Sequence, residues 1–154
     1  MRKILFWALS VIGILVLWLV IVMSIDASRL SGLTLTEQSQ TDYKVNLKGN
    51  EYTLRYVPKE KLQPLFGRAS VEFGHSYALV RNDLPPRVQR SVMHHEIYHL
   101  YDFQNKVHKS HKSQEIHAML ASLPYEPLGF LQTVYLTLVS PERRNFYSNL
   151  YLSF

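Results

Sequence analysis

Residues 4–25, ILFWALSVIGILVLWLVIVMSI, form an uncharged run of 22 residues. At a helical rise of about 1.5 Å per residue the run spans about 33 Å, close to the ~30 Å hydrocarbon core of a bilayer. A helix apolar on every side needs either a large core or lipid around it. A cleavable signal peptide has a shorter apolar region, about 7–15 residues, and a small-residue cleavage site after it. Here Ser24, Ile25, Asp26 and Ala27 make a poor site. Residues 1–25 therefore read as a retained membrane anchor, with a cleaved signal as the alternative. Arg2 and Lys3 precede the run, and Asp26 and Arg29 after it nearly cancel. The positive-inside rule then expects a cytoplasmic N-terminus and residues 26–154 on the other side.

Those 129 remaining residues suffice for one compact domain and not two. The chain has no cysteine, which excludes disulfide staples, thiolate ligands and a thiol nucleophile. Its formal net charge is +5, of which Arg2 and Lys3 supply two. The small remainder gives no reason to expect a nucleic-acid partner.

Residues 26–42, rich in Ser, Thr and Gln, read as a linker, leaving 43–154 as the domain. Tyr43, Val45 and Leu47 alternate, as do Tyr52, Leu54 and Tyr56 beyond a Gly49-Asn50 turn, predicting a β-hairpin. A short helix over 58–66 and strands over 69–73 and 76–81 are expected next. Asp83 and the prolines after it open a helix running to about Asn105. A polar, basic loop follows, then helices over about 113–123, 128–139 and 141–152. Strands first and helices after predict an α+β fold, a small antiparallel-rich sheet packed on a helical half.

The long helix contains His95-Glu96-Ile97-Tyr98-His99, the pattern HExxH. Residues i and i+4 share a helix face about one turn apart, so both imidazoles can reach one metal ion. Neutral histidine nitrogens suit zinc, at about 2.0–2.1 Å. Glu96 lies one residue further round, about 100° away, as the general base rather than a ligand. The strand at 76–81 is expected to line the cleft and to pair with an extended peptide.

Catalytic zinc uses three protein ligands and keeps one open position. Asp102, a turn beyond His99, is too far along the axis to be the third. It fits better as the carboxylate that accepts a ligand histidine's spare N–H, or as an ordinary helix-end aspartate. Downstream candidates are Glu115, His108, His111 and His117. Glu115 is preferred, because a second helix with small residues nearby can present it at close range. The loop histidines read first as solvated surface. His94 reads as packing or surface. Tyr125, His117 and His75 are the candidates for stabilising an oxyanion.

His95, Glu96, His99, Asp102 and Glu115 together resemble the gluzincin group of zinc metallopeptidases, the thermolysin-like and neprilysin-like families. HEIYHLYD resembles the neprilysin form HExxHxxD, whose aspartate orients a ligand histidine. Glu115 with Ala118 resembles the ExxA that carries the third ligand on the next helix. The resemblance covers about residues 76–122, and Met119 stands where the longer ExxAD form has aspartate. It implies a zincin-like fold, a Zn2+ cofactor, a strand-lined cleft and hydrolysis of a peptide or protein substrate outside the cytoplasm. Two other readings remain at this point: a non-catalytic zinc-binding interaction module at the membrane, and a zinc amidase acting on cell-wall material.

Overall fold

The computed structural model describes residues 2–152. The first helix, α1 (Arg2–Arg29), contains the uncharged run and is long and apolar enough to cross a membrane. Its apolar side chains stand exposed along most of its length, so it is not a core helix. Five strands follow: β1 (Thr34–Glu37), β2 (Asp42–Leu47), β3 (Asn50–Val57), β4 (Gly67–Glu72) and β5 (His75–Arg81). The helical half is α2 (Pro86–Asn105), α3 (His111–Ser122), α4 (Pro127–Val139) and α5 (Pro141–Leu152). The architecture is α+β, as the order of elements predicts.

The strands form one mixed sheet in the order β1-β2-β3-β5-β4, with β3 and β5 parallel and the other neighbours antiparallel. The β2–β3 hairpin turns on Lys48 and Gly49, at φ 53° and 83°, one residue earlier than the expected Gly-Asn pair. Two consecutive positive φ angles match the twist of the flanking strands. The alternation sends Val45, Leu47, Tyr52 and Leu54 into the core, where they meet Ala78 and Val80 of β5. Helix α2 covers that face with Val88, Val92, Met93, Ile97 and Leu100.

Several expectations change. The helix expected over 58–66 reduces to a 3-10 turn at Lys59–Lys61, because Pro64 has no N–H to continue it. Asp83 does not cap α2; its carboxylate pairs with Arg81 at 2.6 Å, and the helix begins with Pro85 at its cap and Pro86 inside. Residues 26–42 are not a spacer. Helix α1 runs on to Arg29, Asp26 and Leu30 are buried, and β1 pairs with β2.

The reason lies at the end of α1. Asp26 Oδ1 accepts hydrogen bonds from the Tyr98 hydroxyl of α2 and from Arg29, each at 2.9 Å, and Asp26 Oδ2 lies 2.5 Å from His117 Nδ1 of α3. One carboxylate thus ties α1 to two helices of the domain. Removing one partner from a buried charged cluster costs about 3–5 kcal/mol, because the others are left uncompensated. Asp26→Ala in the full chain, in detergent, is therefore expected to lose about 3 kcal/mol of stability and to speed amide exchange in α3. Unchanged protection of α3 would show that the carboxylate does not hold it.

Candidate metal centre

His95 and His99 lie one turn apart on α2, on the side where α3 crosses it. Their Nε2 atoms are 3.0 Å apart. Glu115, from α3, brings Oε2 to 3.5 Å from His95 Nε2 and Oε1 to 3.3 Å from His99 Nε2. Around a four-coordinate ion with bonds of about 2.0–2.1 Å, the edge of the ligand tetrahedron is about 3.3 Å. The nitrogens and the two carboxylate oxygens approach one another at about that spacing, and the three residues form a group able to hold a metal ion. Without an ion, one imidazole must point an N–H at the other's lone pair. A metal takes both lone pairs instead.

Electrostatics fit the same use. Burial pushes the Glu115 carboxyl up, but the hydrogen bonds and charges of His95 and His99 outweigh it and hold the group well below the usual carboxylate range. Glu115 is thus an anion presented to two imidazoles. Ala118 and Ala121, both fully buried, let α3 approach closely. Ser110 caps its start by accepting from the Ser113 N–H, so α3 begins at His111, ahead of the expected start.

The other downstream histidines go elsewhere. The His111 side chain stays 62% exposed, with its Nδ1 3.7 Å from the Glu115 Oε1 that faces His99. His117 faces Asp26. His108 donates its backbone N–H to Asp102 Oδ1 at 2.9 Å, with its Nδ1 3.1 Å from the same oxygen. Asp102 Oδ1 is thus taken up by His108. Asp102 is fully buried and hydrogen-bonds to neither His95 nor His99. Lys106, at φ 51°, turns the chain back at the end of α2 and aims His108 at the carboxylate. Asp102 Oδ2 and His99 Nδ1 are the two buried side-chain atoms without a hydrogen-bond partner among the described residues.

Glu96 is buried beneath β4, where the Ala69 backbone hydrogen-bonds to its carboxylate. Space for it exists only because residue 67 is glycine. A Cβ there would lie 2.6 Å from both Glu96 Oε1 and Val92 Cγ1. Burial foremost, with the Glu115 charge adding, pushes the Glu96 carboxyl up to about 7, against the opposing pull of His99 and the Ala69 hydrogen bond.

The strand beside the site is β4 and not the expected 76–81 strand. β5 is interior, between β3 and β4, so it has no free edge to offer; β4 is the sheet edge. Two cavities, of about 470 and 280 Å³, meet here and share Gly67, His95, Glu96, Glu115 and Tyr147. Tyr147, on α5, has no sequence signal: it is one of 10 tyrosines, in a helix without a motif. Burial pushes its phenol up, so it stays a neutral donor, and Arg143 donates to its hydroxyl at 3.4 Å. None of the three expected oxyanion candidates lines either cavity. Tyr125 donates to the Ala27 carbonyl, His117 pairs with Asp26, and His75 begins β5 on the far hairpin. His94 packs as expected, stacked on Tyr125 at 4.9 Å.

Burying Glu96 has a consequence for stability. Its folded pKa, about 7, lies above the ordinary 4.5, so the folded state binds the proton more tightly. The stability this confers is complete below the ordinary value and is lost as pH rises towards 7. Metal-free Glu96→Gln should therefore exceed wild type by about 3 kcal/mol at pH 8 and match it near pH 4. Chelator-treated melts across pH check this; a gap that does not change with pH would refute it.

No family model, curated protein or solved structure matches the chain.

Proposed function

We propose that the chain is a zinc-dependent metallopeptidase of the gluzincin kind, anchored by α1 with its N-terminus cytoplasmic and its domain on the other side. The observation that carries this reading is the convergence of two imidazole nitrogens 3.0 Å apart with a carboxylate that puts one oxygen 3.3 Å from His99 Nε2 and the other 3.5 Å from His95 Nε2, beside a second, buried carboxylate outside this group. A purely structural zinc site is closed by four protein ligands and has no use for such a carboxylate.

A His₂Glu set suits zinc, which when bound would supply a Lewis acid that polarises a carbonyl and lowers the pKa of water to about 7. His95, His99 and Glu115 would hold it. Glu96 takes the proton of the attacking water and later delivers it to the leaving amine. A carboxyl with a pKa near neutrality suits both transfers. The Tyr147 hydroxyl, supported by Arg143, donates a hydrogen bond to the oxyanion that develops on the scissile carbonyl. The free edge of β4 offers backbone groups to an extended peptide, which aligns it across the cleft. Gly67 keeps that strand close to the base.

One zinc per chain is expected in the purified full-length protein, with affinity much reduced in Glu115→Ala. Glu96→Gln should keep the metal and lose about 10²–10⁴-fold in turnover of peptides. Tyr147→Phe should keep the metal and lower kcat by about 10²-fold with little change in KM. Metal content with no hydrolysis across a broad peptide library would favour the interaction module. Hydrolysis confined to cell-wall amides would favour the amidase.

A further inference from the structure

Helix α4, Pro127–Val139, has the sequence PLGFLQTVYLTLV, without a charged residue. A helix apolar on all sides is normally covered on all sides, by protein or by lipid. Here Gly129 is the one residue of α4 that is buried. Its missing side chain lets the helix approach the Arg87 carbonyl of α2. The opposite face is open: Leu128, Leu131, Tyr135 and Leu138 are 53–64% exposed, with Val134 and Val139 beside them. Their spacing of three, four and three residues forms one continuous stripe. Contiguous patches of this kind mark a surface that something covers.

Two features point to what covers it. Tyr125, two residues before α4, donates its hydroxyl to the Ala27 carbonyl at 2.9 Å. Helix α4 therefore starts beside the point where α1, the one helix among the described residues long enough to span a bilayer, enters the domain. The Asp26 cluster ties the same end of α1 to α2 and α3, and α2 in turn packs against α4 at Gly129. The hydroxyls of Thr133 and Thr137 are also satisfied within the helix, by the Gly129 and Thr133 carbonyls at 2.8 and 2.9 Å. At 13 residues it reaches about 20 Å, too short to span.

We infer that the exposed face of α4 rests on the surface of the bilayer that α1 enters, and that the neighbouring cleft takes its peptide from that surface. Val134 and Leu138 belong both to the exposed face and to the wall of the larger cavity. Across the mouth stand Ile116 and Met119 of α3, which are also exposed. The mouth is thus rimmed with apolar side chains on both sides and leads inward to Glu96 and Glu115. The substrate is then a peptide segment tethered to the membrane. This second half rests on the peptidase reading; the seating of α4 does not.

The chain has no native cysteine, so single labels are clean. Leu131→Cys, Leu138→Cys and, as control, the exposed Gln40→Cys in the turn between β1 and β2 are each labelled with an environment-sensitive fluorophore. The full chain is reconstituted in phosphatidylcholine–phosphatidylglycerol vesicles. Spin-labelled lipid should quench positions 131 and 138 and spare 40, while aqueous iodide should do the reverse. Iodide quenching at all three positions would overturn the seating of α4. So would shielding from both quenchers with energy transfer between labelled chains, which would mean that a second copy covers the face. For the substrate, Leu131→Glu/Tyr135→Glu alters the face without touching the cavity wall. It should keep wild-type turnover of a soluble peptide and lose most of its turnover of the same peptide tethered to lipid. Equal turnover of the tethered peptide by variant and wild type would overturn the substrate assignment. A wild type that cuts neither peptide would overturn the peptidase reading and leave the quenching result to decide the place of α4.

Discussion

Two buried carboxylates help hold Glu115, the third candidate metal ligand, in place. Asp102 receives the His108 N–H and faces its ring, which shapes the return of the chain after α2. Asp26 faces His117 on α3 and accepts from Tyr98 on α2. The two imidazoles between these carboxylates stack at 3.9 Å, nearly parallel. The position of α3 across α2 therefore follows from one polar cluster. Glu115 lies two residues before His117 on the same helix, so the spacing of the candidate metal ligands depends on contacts made outside the site. The desolvated charges are tolerable because each has a partner at short range.

A second constraint acts from the sheet. Glu96 can be buried only where the β4 backbone comes close, and that needs glycine at 67. Burial costs stability at neutral pH, as its raised pKa shows. No packing advantage explains the choice, since a glutamine or an apolar side chain would fill the same space without the charge. Groups perturbed in this way cluster at functional sites, which accords with the general-base role proposed for Glu96. Glu115 has the opposite character, held anionic by the imidazoles beside it. Two carboxylates a short distance apart are thus driven in opposite directions, the pattern expected of one ligand and one base.

Much of this was legible in the sequence, and the limits have physical causes. The spacing of His95 and His99 on one helix needs only helical geometry, and the prolines at 86, 127 and 141 mark helix starts through their own backbone chemistry. The alternation at 43–56 is equally local. What could not be read depends on partners distant in the chain. Asp26 looks like the polar edge of an anchor until Tyr98 and His117 are beside it. Asp102 fits a family pattern, yet its partner is chosen by a left-handed Lys106 that no composition signal marks. Strand order was equally hidden: β4 and β5 are both short and alternating, and only the parallel pairing of β3 with β5 decides which becomes the edge. Tyr147 enters the cleft because α5 folds back so that Arg143 reaches the Pro64 carbonyl, at 2.6 Å.

The missing linker matters most for how such a molecule could choose what it acts on. A domain on a flexible tether sweeps a volume and must select by side-chain pockets. Here α1 passes directly into buried structure at Asp26 and Leu30. The height of the cleft above the end of α1 is then fixed by the fold. Ile116, Met119, Phe130, Val134 and Leu138 of α3 and α4 form the apolar part of its main cavity, and such contacts discriminate weakly among hydrophobic residues. Weak chemical discrimination combined with a fixed position makes the location of a peptide bond the stronger filter. On the proposed reading, a segment at the right depth would present itself to β4 at high effective concentration, and one in free solution would not. In such an arrangement the joint at Asp26 contributes to specificity without contacting the substrate.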